Sequence, residues 1–210
     1  LINEGVDPAK VYVTGNTVVD ALSLTLKKFD TSQDFENDVK NRILLKLKRN
    51  IFNHKYIIIT MHRRENFGRG IDNLCSALKE LSIKFPKLLF VFPVHLNPSV
   101  LDPVQAQLSD ISNVILTEPL PYQEFCLLLS RCTLVITDSG GIQEETTFLN
   151  KPLLVTRKKT ERQSPTQNKQ GIVGMKAQDI IASVEDALNS PNNWNKENDR
   201  GFFGVGDAAI

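Results

Sequence analysis

The sequence predicts an α/β protein built on a doubly wound, Rossmann-like parallel sheet. Three observations carry this. Short β-prone apolar runs alternate along the chain with segments that are apolar at helical spacing, the pattern of right-handed βαβ units. The run Leu134-Val135-Ile136 is continuously apolar, as in a parallel strand covered on both faces. That run then passes through a tight Ser139-Gly140-Gly141 turn into a segment with Ile142, Thr146 and Leu149 on one helical face.

The elements follow in order. Val11-Tyr12-Val13-Thr14 reads as a short strand ending at Gly15-Asn16. Residues 17–29 form a helix through Val18, Ala21, Leu22 and Leu26, and 34–48 a more polar one. Tyr56-Ile57-Ile58-Ile59-Thr60 is strongly β-prone, because branched side chains favour the pleated surface. Helix 70–85 runs through Leu74, Ala77, Leu78 and Leu81, and the strand Leu88-Leu89-Phe90-Val91-Phe92 follows. Helix 98–108, strand Val114-Ile115-Leu116, helix 122–131 and strand 134–137 continue the alternation. Leu153-Leu154-Val155 is the last expected strand, followed by a polar loop over 158–169 and a helix over 177–189. A polar C-terminal extension spans 191–210.

At 210 residues and 41% hydrophobic, the chain can bury a sizeable core as one large domain or two small ones. A net charge of +1, spread along the sequence, gives no electrostatic footprint for nucleic acid. Cys75, Cys126 and Cys132 have apolar neighbours and no metal-ligand spacing, as expected of reduced, buried thiols in a cytoplasmic protein. No apolar run approaches the length of a membrane span, and no membrane partner is expected. The opening Leu1-Ile2-Asn3-Glu4-Gly5-Val6-Asp7-Pro8 lacks an initiator methionine and reads as mid-protein text, so a fragment of a longer chain is expected.

Ligands of such sheets bind beyond the carboxyl ends of the strands. Four loops qualify: Gly15-Asn16-Thr17, Met61-His62-Arg63-Arg64-Glu65-Asn66, Pro93-Val94-His95-Leu96-Asn97 and the Ser139-Gly140-Gly141 turn. A strand-to-helix turn aims free N–H groups and the positive end of the helix dipole at one point, which suits a phosphate. Glycines without Cβ atoms admit an anion close to the main chain. Glu145, about one turn further in, is placed to accept hydrogen bonds from ribose hydroxyls. The plainer alternative is that Ser139 only caps a helix and the glycines only make a turn. His95 alone equally fits a hydrogen-bonded structural histidine, and Phe125 fits core packing. No Gly-x-Gly-x-x-Gly follows the first strand and no P-loop is present, so neither a dinucleotide cofactor nor any other cofactor or metal is expected.

The run 59–68, Ile-Thr-Met-His-Arg-Arg-Glu-Asn-Phe-Gly, resembles the His-Arg-Arg-Glu-Asn loop of the non-hydrolysing UDP-N-acetylglucosamine 2-epimerases. Residues 13–20, 93–98, 137–145 and Thr160-Glu161-Arg162 are similar to that family in the same order. The resemblance implies the C-terminal, nucleotide-binding half of a two-domain glycosyltransferase-B architecture. An N-terminal half holding further catalytic carboxylates would be missing from this sequence, and the full-length protein would be a homodimer. It implies UDP-GlcNAc as substrate, with Leu120 and Phe125 at the uracil, Ser139, Gly140, Gly141 and Arg162 at the diphosphate, and Glu145 at the ribose. His62 and Arg64 would be catalytic, at the sugar–phosphate junction and the diphosphate. Arg63 and His95 match positions that contact a second, activating UDP-GlcNAc. The reaction implied is elimination of UDP to a glycal and re-addition with carbon 2 inverted, giving UDP-ManNAc for cell-surface polysaccharide synthesis.

Two departures from the family pattern stand out. Met61 replaces a small residue, and Gln163-Ser164-Pro165 replaces Pro-Glu after Arg162. A glycosyltransferase of the same architecture, or a UDP-binding module without chemistry, are the alternative readings.

Overall fold

The computed structural model describes residues 1–12, 14–158, 170–190 and 203–209. Among these residues six strands form one sheet: β1 (Tyr56–Thr60), β2 (Leu89–Pro93), β3 (Val114–Thr117), β4 (Leu134–Thr137), β5 (Leu153–Val155) and β6 (Gln170–Ile172). Every pairing is parallel, in the order β3-β2-β1-β4-β5-β6. The chain builds outward from β1 to β3, then returns to the other side of β1 and builds outward again. The reversal lies between β1 and β4, where Ile57 pairs Leu134 and Thr60 pairs Thr137. This is the topological switch point, at which doubly wound sheets open a crevice.

Among the described residues seven α-helices cover the two faces: α1 (Thr17–Thr31), α2 (Gln33–Leu47), α3 (Arg69–Lys84), α4 (Pro98–Leu108), α5 (Tyr122–Arg131), α6 (Gly140–Phe148) and α7 (Ala177–Asn189). Side chains alternate across the sheet, so β1 serves both layers. Ile57 and Ile59 join Leu78 of α3, Val104 of α4 and Ile180 of α7 in one apolar cluster. Tyr56 and Ile58 join Leu22 of α1, Ile43 of α2 and Leu128 of α5 in the other. The Tyr56 phenol, buried at the base of the second cluster, donates to the Leu128 carbonyl at 2.8 Å. All three cysteines are buried, and burial pushes each thiol up to about 12, so none is a nucleophile at neutral pH. Among the described residues no helix is long and apolar enough to cross a membrane.

The expected α/β class is the observed one, and two local expectations are corrected. Val11, Tyr12 and Thr14 lie outside any strand. Tyr12 is 81% exposed, and the turn that follows, at Gly15 and Asn16, packs on the C-terminal stretch. Gly15 has φ 84°, and a Cβ there would come within 2.9 Å of the Gly204 Cα. Asn16 donates its N–H to the Phe203 carbonyl at 3.0 Å. Further along, the Asp20 carboxylate accepts from the N–H groups of Ala208 and Ala209 at 3.1 and 2.8 Å. The second correction is β6, an unanticipated three-residue strand paired to β5 through Leu154 and Gly171.

Candidate functional site

The carboxyl ends of β1 and β4 are stitched together by side chains. The Thr60 and Thr137 hydroxyls lie 2.6 Å apart, and Thr137 Oγ1 also accepts the Ser139 N–H at 3.0 Å. Next in sequence, Asp138 is fully buried and collects the whole loop that follows β1. Its oxygens accept the N–H of His62 at 3.2 and 3.3 Å, the N–H of Arg63 at 3.0 Å and the Asn66 side-chain amide at 2.8 Å. His62 Nδ1 stands 3.2 Å from Asp138 Oδ1, with the ring 44% exposed. Asn66 gives a further hydrogen bond to the Thr156 carbonyl at 3.2 Å, tying the loop to the end of β5. A loop of five polar residues is thus held by strands that neighbour it in space but lie far along the chain.

On the β4 side, Ser139 is the N-cap of α6 and its hydroxyl accepts the Ile142 N–H at 3.5 Å. Gly140 and Gly141 open the helix, where no preceding carbonyl is available to their N–H groups. Both have helical backbone, so neither is a glycine for the sake of a positive φ. A Cβ at Gly141 would meet nothing within 4 Å. The space above the helix N-terminus is open, and glycine keeps it so.

Beside these loops lies a cavity of about 230 Å³ lined by Thr60, Met61, His62, His95, Leu120, Phe125 and Ile142, with Pro93 and Pro119. It spans the carboxyl ends of β1, β2 and β3 and reaches the first turn of α6. Phe125 does two things at once: it packs on the apolar cluster beneath the sheet and presents an edge to the cavity. His95 Nδ1 accepts the Asn97 N–H at 3.1 Å, which places its hydrogen on Nε2. Deeper in α6, Glu145 is 4% exposed, and Tyr122 donates its hydroxyl to Oε1 at 3.3 Å. Burial pushes the Glu145 carboxyl up to about 7, with the Glu144 charge adding to it and the Tyr122 hydrogen bond opposing it. Among the described residues no group of three or more His, Cys, Asp or Glu is placed to hold a metal ion.

The family model of the UDP-N-acetylglucosamine 2-epimerases matches residues 1–210. The chain belongs to the UDP-N-acetylglucosamine 2-epimerase family. A relative from Campylobacter jejuni, named UDP-N-acetylglucosamine 2-epimerase, is 43% identical over 199 residues, covering 93% of this chain and 51% of its own length. The Neisseria meningitidis UDP-GlcNAc 2-epimerase crystal structure, bound to UDP-GlcNAc, superposes with a TM-score of 0.88 at 38% identity, covering 99% of this chain and 55% of that one. The Methanocaldococcus jannaschii epimerase, in complex with UDP-GlcNAc and UDP, gives 0.78 at 29% identity, with 99% and 54% covered. The chain therefore spans about half the length of the epimerases it matches.

Within this epimerase-family fold, His62, His95, Leu120 and Phe125 share one cavity, and Ser139, Gly140 and Gly141 border it through Ile142. Arg63 is half-buried and Arg64 exposed, the latter opening a 3-10 turn Arg64–Asn66. Glu145 lies further along α6 against Tyr122, away from the cavity lining. Arg162 and the Gln163-Ser164-Pro165 departure fall outside the described residues. Met61 is 2% exposed and packs into the apolar cluster, where it also forms part of the cavity wall. Three residues escaped the sequence reading: Asp138, Tyr122 and Arg157. Arg157 is buried at the end of β5, with Nε 3.4 Å from Glu65 Oε1. Only the position of Asp138 and Arg157 at strand ends could have singled them out.

Proposed function

We propose that this chain is the nucleotide-binding half of a UDP-N-acetylglucosamine 2-epimerase of the non-hydrolysing type, an isomerase that interconverts UDP-GlcNAc and UDP-ManNAc. The observation that carries the reading is the switch point itself: the His62-Arg63-Arg64 loop is pinned by Asp138 directly beside the open N-terminus of α6. The uracil lies against Leu120 and Phe125, the diphosphate against Ser139, Gly140 and Gly141, and the ribose hydroxyls against Glu145. Arg162 and Arg64 add positive charge at the diphosphate.

Carbon 2 of the sugar has no adjacent carbonyl, so direct deprotonation and reprotonation is unfavourable. Elimination avoids this: the anomeric C–O bond breaks as carbon 2 loses its proton, leaving a glycal and UDP. UDP then adds back while a proton returns to the opposite face of carbon 2. Negative charge develops on the departing diphosphate, where a helix N-terminus and guanidinium groups stabilise it. Loss of one such donor costs on the order of 3 kcal/mol of barrier, about a hundredfold in rate. His62 either protonates or holds the diphosphate. The carboxylates that exchange the carbon-2 proton belong to an N-terminal half, so the 210-residue chain binds UDP without turning over. Arg63 and His95 face a second, activating UDP-GlcNAc. The full-length protein works as a cytoplasmic homodimer in cell-surface polysaccharide synthesis.

The test is a full-length form given UDP-GlcNAc and no acceptor. Conversion to UDP-ManNAc is expected. A requirement for an acceptor would replace the epimerase with a glycosyltransferase, and binding without any conversion would leave a nucleotide-binding module.

A further inference from the structure

We infer that Asp138 is a positioning residue for the proposed reaction, acting through His62 by fixing which ring nitrogen serves the ligand. The inference rests on the reading that the cavity beside His62 takes a nucleotide sugar. The Asp138 carboxylate accepts two backbone amides and the Asn66 side-chain amide, and His62 Nδ1 lies 3.2 Å from its Oδ1. A nitrogen lone pair facing a carboxylate oxygen at that distance is repelled by it, so the Nδ1–H form of His62 is the favoured one. Nε2 is then the nitrogen left for a ligand. Any proton the imidazole gives or takes at the diphosphate moves at that one atom. The same carboxylate holds the His62 and Arg63 main chain, so ring and loop have one anchor and the ring cannot turn over without losing its partner.

His95 supplies an internal contrast. Its Nδ1 accepts the Asn97 N–H, so the two histidines lining one cavity are held in opposite tautomers. Without Asp138 a solvent-facing imidazole has no reason to hold the Nδ1–H form. A purely structural Asp138 would need only the backbone contacts and would be indifferent to the ring.

Long-range 1H–15N spectra of the uniformly labelled 210-residue chain, at a pH where its histidines are neutral, read both tautomers directly. The Nδ1–H form is expected for His62 and the Nε2–H form for His95. In Asp138→Asn the His62 preference is expected to vanish while His95 is unmoved. If that variant does not fold, the wild-type spectrum alone decides. In a full-length form, Asp138→Asn is expected to lower kcat about a hundredfold, and the double variant with His62→Ala to be no slower than His62→Ala alone. An Nε2–H His62 in the wild type, a tautomer untouched by Asp138→Asn, or additive losses would overturn the assignment. Titration with UDP tests the underlying reading separately: if UDP shifts neither His62 nor Ser139, the nucleotide site is wrong although the tautomer pair stands.

Discussion

The Tyr122 hydroxyl donates to Glu145 Oε1 at 3.3 Å, joining the first turn of α5 to the buried middle of α6. The bond opposes, without cancelling, the effect of burial that brings Glu145 up to about 7. An acid held above its ordinary value binds its proton more tightly in the folded chain than in the unfolded one. Glu145 therefore costs nothing below about pH 4.5, and the fold loses stability as pH rises from there through 7, by about 3 kcal/mol at most. Glu145→Gln is expected to flatten that slope, read from urea midpoints at a series of pH values. Tyr122→Phe, which removes the one opposing hydrogen bond, is expected to push the midpoint of the slope higher.

The same residue makes a binding prediction. Ribose hydroxyls donate to a carboxylate, so the ionised form is the binding form. Uridine, which carries no phosphate to confuse the titration, is expected to bind more tightly as pH rises through about 7. The pH dependence is expected to disappear in Glu145→Gln. Calorimetry at several pH values checks it.

At the turn, helical backbone at Gly140 and Gly141 sharpens the expected outcome of adding a Cβ. Alanine at Gly141 meets no steric obstacle and is a better helix former, so its melting temperature should hold or rise, by up to about 1 kcal/mol of stability. UDP affinity is nevertheless expected to fall at least tenfold, about 1.4 kcal/mol, with uridine losing less. Equal losses for the two ligands would mean that the phosphate sits elsewhere.

The C-terminal stretch offers a stability test remote from the cavity. Asp20 accepts two backbone N–H groups, from Ala208 and Ala209, while being only 7% exposed itself. Asp20→Ala removes both hydrogen bonds and should lower stability by about 1 kcal/mol, measured by chemical denaturation. UDP binding at a temperature where the variant is folded should be unaffected.

Much of this architecture could be read from residues alone. The apolar runs at 56–60, 89–93 and 134–137 are central strands because branched and aromatic side chains fill both faces of the sheet. The Ser139 turn declared its helix through capping chemistry. What failed was decided by partners distant in sequence. Val11 and Tyr12 have strand propensity but pair with no strand, and the Gly15 turn that follows packs on Gly204 instead. Gln170-Gly171-Ile172 has little propensity of its own and becomes β6 because β5 offers an unpaired edge. Asp138 reads as a turn residue until the topology brings the β1 loop, more than seventy positions earlier, onto its oxygens. The resemblance identified the loop, whereas its anchor became visible only in three dimensions.

The most direct test of the central claim is a UDP titration of the 15N-labelled 210-residue chain followed by amide spectra. The switch-point reading predicts saturable shifts concentrated at His62, Ser139, Gly140 and Gly141, with smaller ones at Leu120 and Phe125. Shifts confined to another surface, such as the groove between Arg49 and the β3 edge at Leu116, or none at all, would contradict it.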